Sequence, residues 1–257
     1  MSEVLLEVEA RAEGTVARLT VSNPERLNIL SSEVLESFEL RLEEVAAIAD
    51  LRAVVLRGAG ERAFIGGADI RELAELTPDT ARAFISAVHR VCAGLRDLPV
   101  PVIAAVTGYC LGAGLEVAAA CDLRVASEQA QFGMPEVQLG VPSVVEAALL
   151  PQLVGWGRTR ELVFAGRSFM AGEVERWGLV ERVVTRGEVD AVVGEWLESI
   201  LRAGPRAIRL QKELIRQWER LPLAQAIEAG IESFARAYET DEPTTRARQF
   251  LAERRRR

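Results

Sequence analysis

Apolar and polar positions alternate most regularly at the start of the chain. Val4–Ala10 and Thr15–Val21 each follow a period of two and are parted by Glu13-Gly14, which predicts a β-hairpin ended by Ser22-Asn23-Pro24. The period then lengthens. Val34, Leu35, Phe38, Leu42 and Val45 recur at helical spacing, predicting a helix capped by Ser31 or Ser32 and reaching about Ala49. Arg52–Arg57 is the next strand, and Gly58-Ala59-Gly60 opens a loop that carries Phe64-Ile65-Gly66-Gly67-Ala68-Asp69. A short helix follows, then a longer one from Pro78 to about Arg96, with proline in its first turn. Val102–Val106 is an unbroken apolar run rich in β-branched residues and reads as a buried strand. Three glycines between Gly108 and Gly114 then lead into the alanine-rich Leu115–Cys121, whose small side chains suit a closely packed helix.

Further on, Asp122–Ala126 and Gln131–Phe132 read as short strands. Val144–Val154 and Thr159–Phe164 read as helices separated by Gly155-Trp156-Gly157, and Ser168 is expected near the cap of another. Gly178 breaks that helix, Val183-Val184 forms a short strand, and from Glu188 the pattern is helical with breaks at Gly204-Pro205, Pro222 and Pro243. Strand-rich units come first and helices last, with no short-period repeat and no long linker. Periodicity alone supports a mixed α/β chain.

Composition narrows the function classes. At 257 residues, with 49% hydrophobic and 27% charged residues, the chain is globular, has enough length for a sizeable core, and forms one large domain or two small ones. A net charge of −7 argues against nucleic acid as a partner, the basic end Glu253–Arg257 being the exception. The N-terminal stretch MSEVLLEVEA is acidic, with too short an apolar run for a signal peptide, and no apolar segment approaches the ~20 residues of a membrane span. The expectation is a cytoplasmic protein with no membrane association. Cys92, Cys110 and Cys121 are odd in number and lack metal-ligand spacing, so they read as reduced, buried thiols. The one histidine, His89, sits in a helical pattern. It rules out a multi-histidine metal site and offers no serine–histidine pairing, and no metal is expected.

The candidate chemistry lies around Gly108–Glu136. A glycine loop feeding a helix leaves free N–H groups at the positive end of the helix dipole. Glu116 falls in that first turn, and Glu136 follows twenty residues later, after Gly133 and Pro135. From spacing alone, Glu116 is a dipole partner or a catalyst, and Glu136 a surface acid or a catalyst.

AFIGGADI (Ala63–Ile70) and GYCLGAGLEVAAACDLRVASEQAQFGMPEVQLG (Gly108–Gly140) closely resemble the enoyl-CoA hydratase/isomerase family, also called the crotonase superfamily. The blocks match in order, and the resemblance runs from near Leu19 to near Phe250. It implies an α/β fold: a right-handed spiral of ββα units over residues 1–200, holding the acyl-CoA site, and a C-terminal helical region over 201–257 that assembles trimers or dimers of trimers. Leu214, Trp218, Ile227, Ile231 and Phe234 suit such an interface or, equally, an internal core. By resemblance, Glu116 and Glu136 are catalytic, the backbone amides of Gly66 and Ala113 form an oxyanion hole, and Arg26, Ile29, Ala68, Asp69 and Ile70 contact coenzyme A or substrate. The string at Phe250–Arg255 resembles one that meets phosphates of a neighbouring subunit. No cofactor is implied beyond the coenzyme A of the substrate.

The implied activity is hydration of a 2-enoyl-CoA; the alternatives are a delta-isomerase relying on Glu136, or a catalytically silent binding subunit. One segment departs from the family pattern. Where hydratases typically read G-x-x-P-G-A-G-G-T, this chain reads Gly140-Val141-Pro142-Ser143-Val144-Val145-Glu146-Ala147, one residue shorter and without the inner glycines. Glu146 there reads as a helix N-terminal dipole partner or as a third carboxylate near the pocket.

Overall fold

The computed structural model describes residues 2–254; Arg255–Arg257, which complete the basic end and the Phe250–Arg255 string, lie outside the described residues. The chain opens with the expected hairpin, β1 (Glu3–Arg11) paired antiparallel with β2 (Gly14–Ser22) from Glu3↔Ser22 to Arg11↔Gly14. Helix α1 (Ser32–Ala46) follows. Ser31 is its cap, its hydroxyl accepting from the Val34 N–H at 3.3 Å, and the five apolar residues at helical spacing are all buried.

Three units of the same plan come next. In each, a long strand is followed by a short strand and then by helix: β3 (Leu51–Gly58), β4 (Ala63–Ile65), then α2 (Ile70–Leu73) and α3 (Pro78–Asp97); β5 (Val102–Val106), β6 (Tyr109–Leu111), then α4 (Ala113–Ala120); β7 (Leu123–Ser127), β8 (Gln131–Gly133), then α5 (Leu150–Ala165). The long strands pair in parallel, β3 with β5 and β5 with β7, and the short strands do the same, β4 with β6 and β6 with β8. Chain pairing of this kind, strand to strand in successive units, is a spiral with two sheets as its walls. The larger sheet runs β1-β2-β3-β5-β7-β10 and the smaller β4-β6-β8-β9, with β9 (Ser168–Met170), α6 (Ala171–Trp177) and β10 (Arg182–Val184) closing the third unit. The rest is helical: α7 (Val189–Arg202), α8 (Pro205–Trp218), α9 (Leu223–Ala237) and α10 (Glu242–Arg254).

All eight residues of α4 are buried. Alanine and glycine make that burial possible, because small side chains let the helix lie close to its neighbours. Its C-terminal end is held by a buried arginine: Arg124 donates to the Ala118 and Cys121 carbonyls, at 3.3 and 2.7 Å, while pairing with Glu181.

The structure corrects two expectations. Ser168 does not cap a helix; it begins β9, where Phe169 pairs opposite Phe132 and is buried, and α6 starts only after Met170. The gain from pairing against β8 outweighs the local capping preference of serine. The helix expected over Val144–Val154 opens as a 3-10 turn at Val145–Leu149 before α5 begins; the break expected at Gly155 is present, its backbone (φ 76°, ψ 161°) leaving the helical region and parting α5 into two helical stretches.

Candidate active site

Strands β4 and β6 carry the site. They run parallel with Ile65 opposite Cys110, so the chain leaves both strands at one edge. Three residues beyond each partner stand Ala68 and Ala113, and both line a cavity of about 450 Å³. Ala113 is the first residue of α4, where a backbone N–H has no partner inside the helix. Ala68 is held by a bridge to Leu30, in which the Leu30 N–H donates to the Gly67 carbonyl (2.8 Å) and the Asp69 N–H to the Leu30 carbonyl (2.9 Å). That pattern skips the Ala68 N–H, which has no protein acceptor among the described residues.

Gly66 behaves differently from the expectation. Its N–H donates to the Leu27 carbonyl at 2.8 Å. Leu27 and Asn28 both adopt left-handed backbone (φ 59° and 54°), and the buried Asn28 side chain ties this turn to the Ala59 and Ala63 carbonyls. The Leu27 carbonyl is thereby aimed at Gly66. An amide so engaged is not free to meet a ligand, so the pair of available donors is Ala68 and Ala113, and the Gly66 assignment is corrected.

Glu116 and Glu136 line the same cavity. Glu116 lies one turn into α4 and is 3% exposed; Glu136 comes from the 3-10 turn Pro135–Leu139 that follows β8. The intervening chain does fold back as two strands, β7 and β8, one in each sheet. Gly112 is where the two halves touch: its φ of 52° favours glycine, and a Cβ there would meet the Glu136 Oε1 and push the carboxylate aside.

Electrostatics separates the two acids. Burial, first, and then the Glu136 charge push Glu116 up to about 8; the Ala147 amide pulls the other way, and Glu146 adds to the rise. The Ala147 N–H reaches Glu116 Oε1 at 3.3 Å. Glu136 is raised by burial, opposed by its own backbone amide and by the Ser143 hydroxyl, which donates to Oε2 at 2.8 Å. The larger rise falls on Glu116, so of the two acids Glu116 is the one that keeps its proton to higher pH. Two of these opposing groups, the Ala147 amide and the Ser143 hydroxyl, come from Gly140–Ala147, the segment that departs from the family pattern. Ser143 was not singled out in the sequence, and nothing in a lone serine on a loop marks it as a carboxylate's partner.

A stability prediction follows from the sign of the Glu116 shift. Below about pH 4.5 its carboxyl is protonated in folded and unfolded chains alike; as pH rises toward about 8, only the unfolded chain gives up the proton, and stability falls. Glu116→Gln is expected to raise the thermal midpoint more near pH 8 than near pH 5. Equal shifts at the two pH values in thermal melts would contradict a buried, protonated Glu116.

The other expected contact residues gather at one rim. Arg26 pairs with Asp69 at 2.5 Å, and Asp69 also caps α2, accepting from the Arg71 N–H at 3.1 Å. Its carboxylate is thus occupied within the protein. Ile70 is exposed beside it and, like Ala68, lines the cavity; Ile29 is half-buried against Gly66. A larger cavity of about 730 Å³ lies between the end of α3 and helices α8 and α9. Its arginines are largely spent on carboxylates, Arg96 on Glu219, Arg216 on Asp97 and Arg236 on Glu213, and neither Glu116 nor Glu136 reaches it.

Comparison with known proteins gives the family. The sequence model of the enoyl-CoA hydratase/isomerase family matches residues 11–257. A short-chain-enoyl-CoA hydratase of Clostridium acetobutylicum is 35% identical over 255 residues, covering 99% of this chain and 96% of that protein. A crotonyl-CoA hydratase of Syntrophomonas wolfei is 32% identical, covering 98% and 95%. The crystal structure of an enoyl-CoA hydratase from Bacillus anthracis superposes with a TM-score of 0.90 at 32% identity, covering 96% of each chain. The parallel spiral, the match along nearly the whole chain and the likeness to these relatives lead to one assignment: this chain belongs to the enoyl-CoA hydratase/isomerase family, with the crotonase fold.

Proposed function

We propose that this protein adds water across the double bond of a 2-enoyl-CoA, using Glu116 and Glu136 as its acid–base pair and the Ala68 and Ala113 amides as its oxyanion hole. The observation that carries the reading is the meeting of all four groups in one cavity, with the two amides free and burial pushing both acids up, Glu116 the further. The thioester oxygen sits between the amides, which are fixed by β4 and β6 and need not reorganise as negative charge grows on it. Water sits between the acids. The ionised carboxylate takes a proton from the water as its oxygen bonds to the β carbon, and the protonated carboxyl gives its proton to the α carbon. The pair ends with one proton, now on the other acid, and the next bound water carries it back.

The acyl end of the cavity is apolar, formed by Leu73, Leu76, Phe84, Ile85, Val88 and Val144, which favours an unsubstituted hydrocarbon chain. Purified protein with crotonyl-CoA and longer or branched enoyl-CoAs, followed by loss of the conjugated thioester absorbance, tests the reaction. A chain that binds these esters without consuming them is a silent subunit, and one that acts only on 3-enoyl-CoA is an isomerase.

Coenzyme A is read as part of the substrate, with Arg26 toward its nucleotide end. Arg26→Ala is expected to raise KM severalfold with kcat little changed, the pattern of lost uniform binding. Unchanged KM with collapsed kcat would contradict this role. We place the acyl-CoA site in residues 1–200 and subunit assembly in 201–257. Ile227, Ile231 and Phe234 on α9 are more than half exposed and, with Trp218, form an uncovered apolar row, whereas Leu214 is buried inside the chain and takes no part. The expected state is a trimer or a dimer of trimers, broken by Ile227→Glu with Ile231→Glu. A monomeric wild type in light scattering would remove the interface.

A further inference from the structure

The segment Gly140–Ala147 folds back over the acid pair. Gly140 ends the 3-10 turn in left-handed backbone (φ 80°), and the Val141 N–H donates to the Glu136 carbonyl at 3.2 Å. The chain is thereby returned toward Glu136. Pro142 fixes its own φ and restricts the residue before it, which leaves little freedom ahead of Ser143. Val141, Pro142 and Val144 are exposed, whereas Ser143 between them is half-buried. Its hydroxyl donates to Glu136 Oε2 at 2.8 Å. Further along, the Ala147 N–H reaches Glu116 Oε1 at 3.3 Å. One short segment thus touches both acids.

A serine on an exposed turn ordinarily bonds water or nearby backbone. This one reaches back seven residues to a carboxylate in the cavity, and among the described residues no other side chain donates to Glu136. In the hydratase pattern the residue after this proline is glycine, which has no hydroxyl to offer. The contact makes the two oxygens of Glu136 unlike. Oε2 is held by Ser143. Oε1 stands over Gly112, where a side chain would collide with it, and Gly112 directly precedes Ala113, whose amide is assigned to the oxyanion hole. Oε1 is thus the oxygen beside the oxyanion hole. The last torsion of a glutamate is intrinsically loose, so a carboxylate with no partner does not keep one oxygen in place.

We infer that Ser143 is a positioning residue that holds Glu136 by Oε2 and so presents Oε1 to the reacting water. The inference rests on the hydratase reading. In the chemical step a water O–H bond breaks, its proton goes to Oε1 and its oxygen bonds to the β carbon; Ser143 keeps its own proton throughout. The same hydrogen bond favours the ionised carboxylate, against the burial that raises Glu136. Glu116 faces Glu136 across the cavity, and Arg82 of α3 lines the same cavity. Glu146, on the segment itself, is turned to His89. On α5, which packs against the turn, Arg158 and Glu161 pair with each other and Arg160 lies over Trp156.

Ser143→Ala is expected to lower kcat for hydration about tenfold, the scale of one hydrogen bond to a charged group, with KM within about twofold of wild type. The acid limb of its kcat–pH profile is expected to move up, because the lost bond favoured the ionised form. Ser143→Thr keeps the hydroxyl and is expected to restore most of the turnover and the limb. In a Glu136→Gln background, adding Ser143→Ala is expected to cost little more, since Ser143 acts through Glu136. One readout needs no turnover: the infrared band of the protonated Glu136 carboxyl, assigned by its loss in Glu136→Gln, is expected to titrate at higher pH in Ser143→Ala than in wild type. Wild-type kcat with an unmoved limb in Ser143→Ala overturns the proposal, as does a raised KM in place of a lowered kcat, or a full further loss in the double variant. Lost turnover that tracks a lowered melting temperature, with limb and band unmoved, is a structural effect and overturns it too. If wild type hydrates no enoyl-CoA, the hydratase reading fails, and the band tells that failure apart: moved in Ser143→Ala, Ser143 still holds Glu136; unmoved, the contact fails as well.

Discussion

Hydration by Glu116→Gln and by Glu136→Gln is expected to fall in kcat by on the order of a hundredfold or more each, with KM for the CoA ester within a few-fold of wild type. Water must be gripped and deprotonated while the α carbon receives a proton, and glutamine keeps the shape of the side chain but carries no transferable proton in this range. Because both acids take part in each cycle, neither variant should be spared. An isomerase would behave otherwise: Glu136 alone would shuttle the proton, and Glu116→Gln would leave most of the activity. Near-normal hydration by Glu116→Gln, on a substrate that wild type handles well, would therefore remove Glu116 from the acid–base pair. Stopped-flow absorbance with crotonyl-CoA separates the two results.

Ala113→Pro is expected to lower kcat by roughly a hundred- to a thousandfold, the range seen when one oxyanion-hole donor is lost, while the melting temperature stays near that of wild type. Proline removes the N–H and nothing else that α4 needs, because Ala113 is the first helical residue, where proline is well tolerated. The preceding Gly112 lies at φ 52°, ψ −124°, outside the helical region that a following proline disfavours and the mirror image of the conformation residues before proline prefer, which glycine alone adopts freely. Ala113→Gly keeps the N–H and is expected to keep turnover. If Ala113→Pro folds and retains wild-type turnover, the amide does not stabilise the developing oxyanion. The companion donor is Ala68 because Gly66 is already bonded to Leu27.

The two stretches of the chain differ in how far they can be read without the fold. The hairpin, α1 with its serine cap, and β5 are legible because their signals are local: alternation, a helical stripe, a hydroxyl before it and a β-branched run. Glu116 and Glu136 were legible through the motif blocks that surround them. The short strands β4 and β6 were not, since three residues carry no period, and only their pairing side by side makes them strands. Ser168 misled for the same reason: a cap preference is local, while β9 exists by virtue of β8.

The sequence by itself determined which residues bury, where the glycines must sit and which carboxylates are present. Only the tertiary structure decided which amides are free and which acids meet in one cavity. Whether the N–H of Gly66 or of Ala68 faces the cavity depends on where the Leu27 carbonyl lands, nearly forty residues earlier in the chain. Whether Glu116 holds a proton depends on burial and on charges brought from Glu136 and Glu146, twenty and thirty residues later. Hydrogen-bond occupancy and desolvation are properties of neighbours in space, and no pattern along one chain encodes them locally.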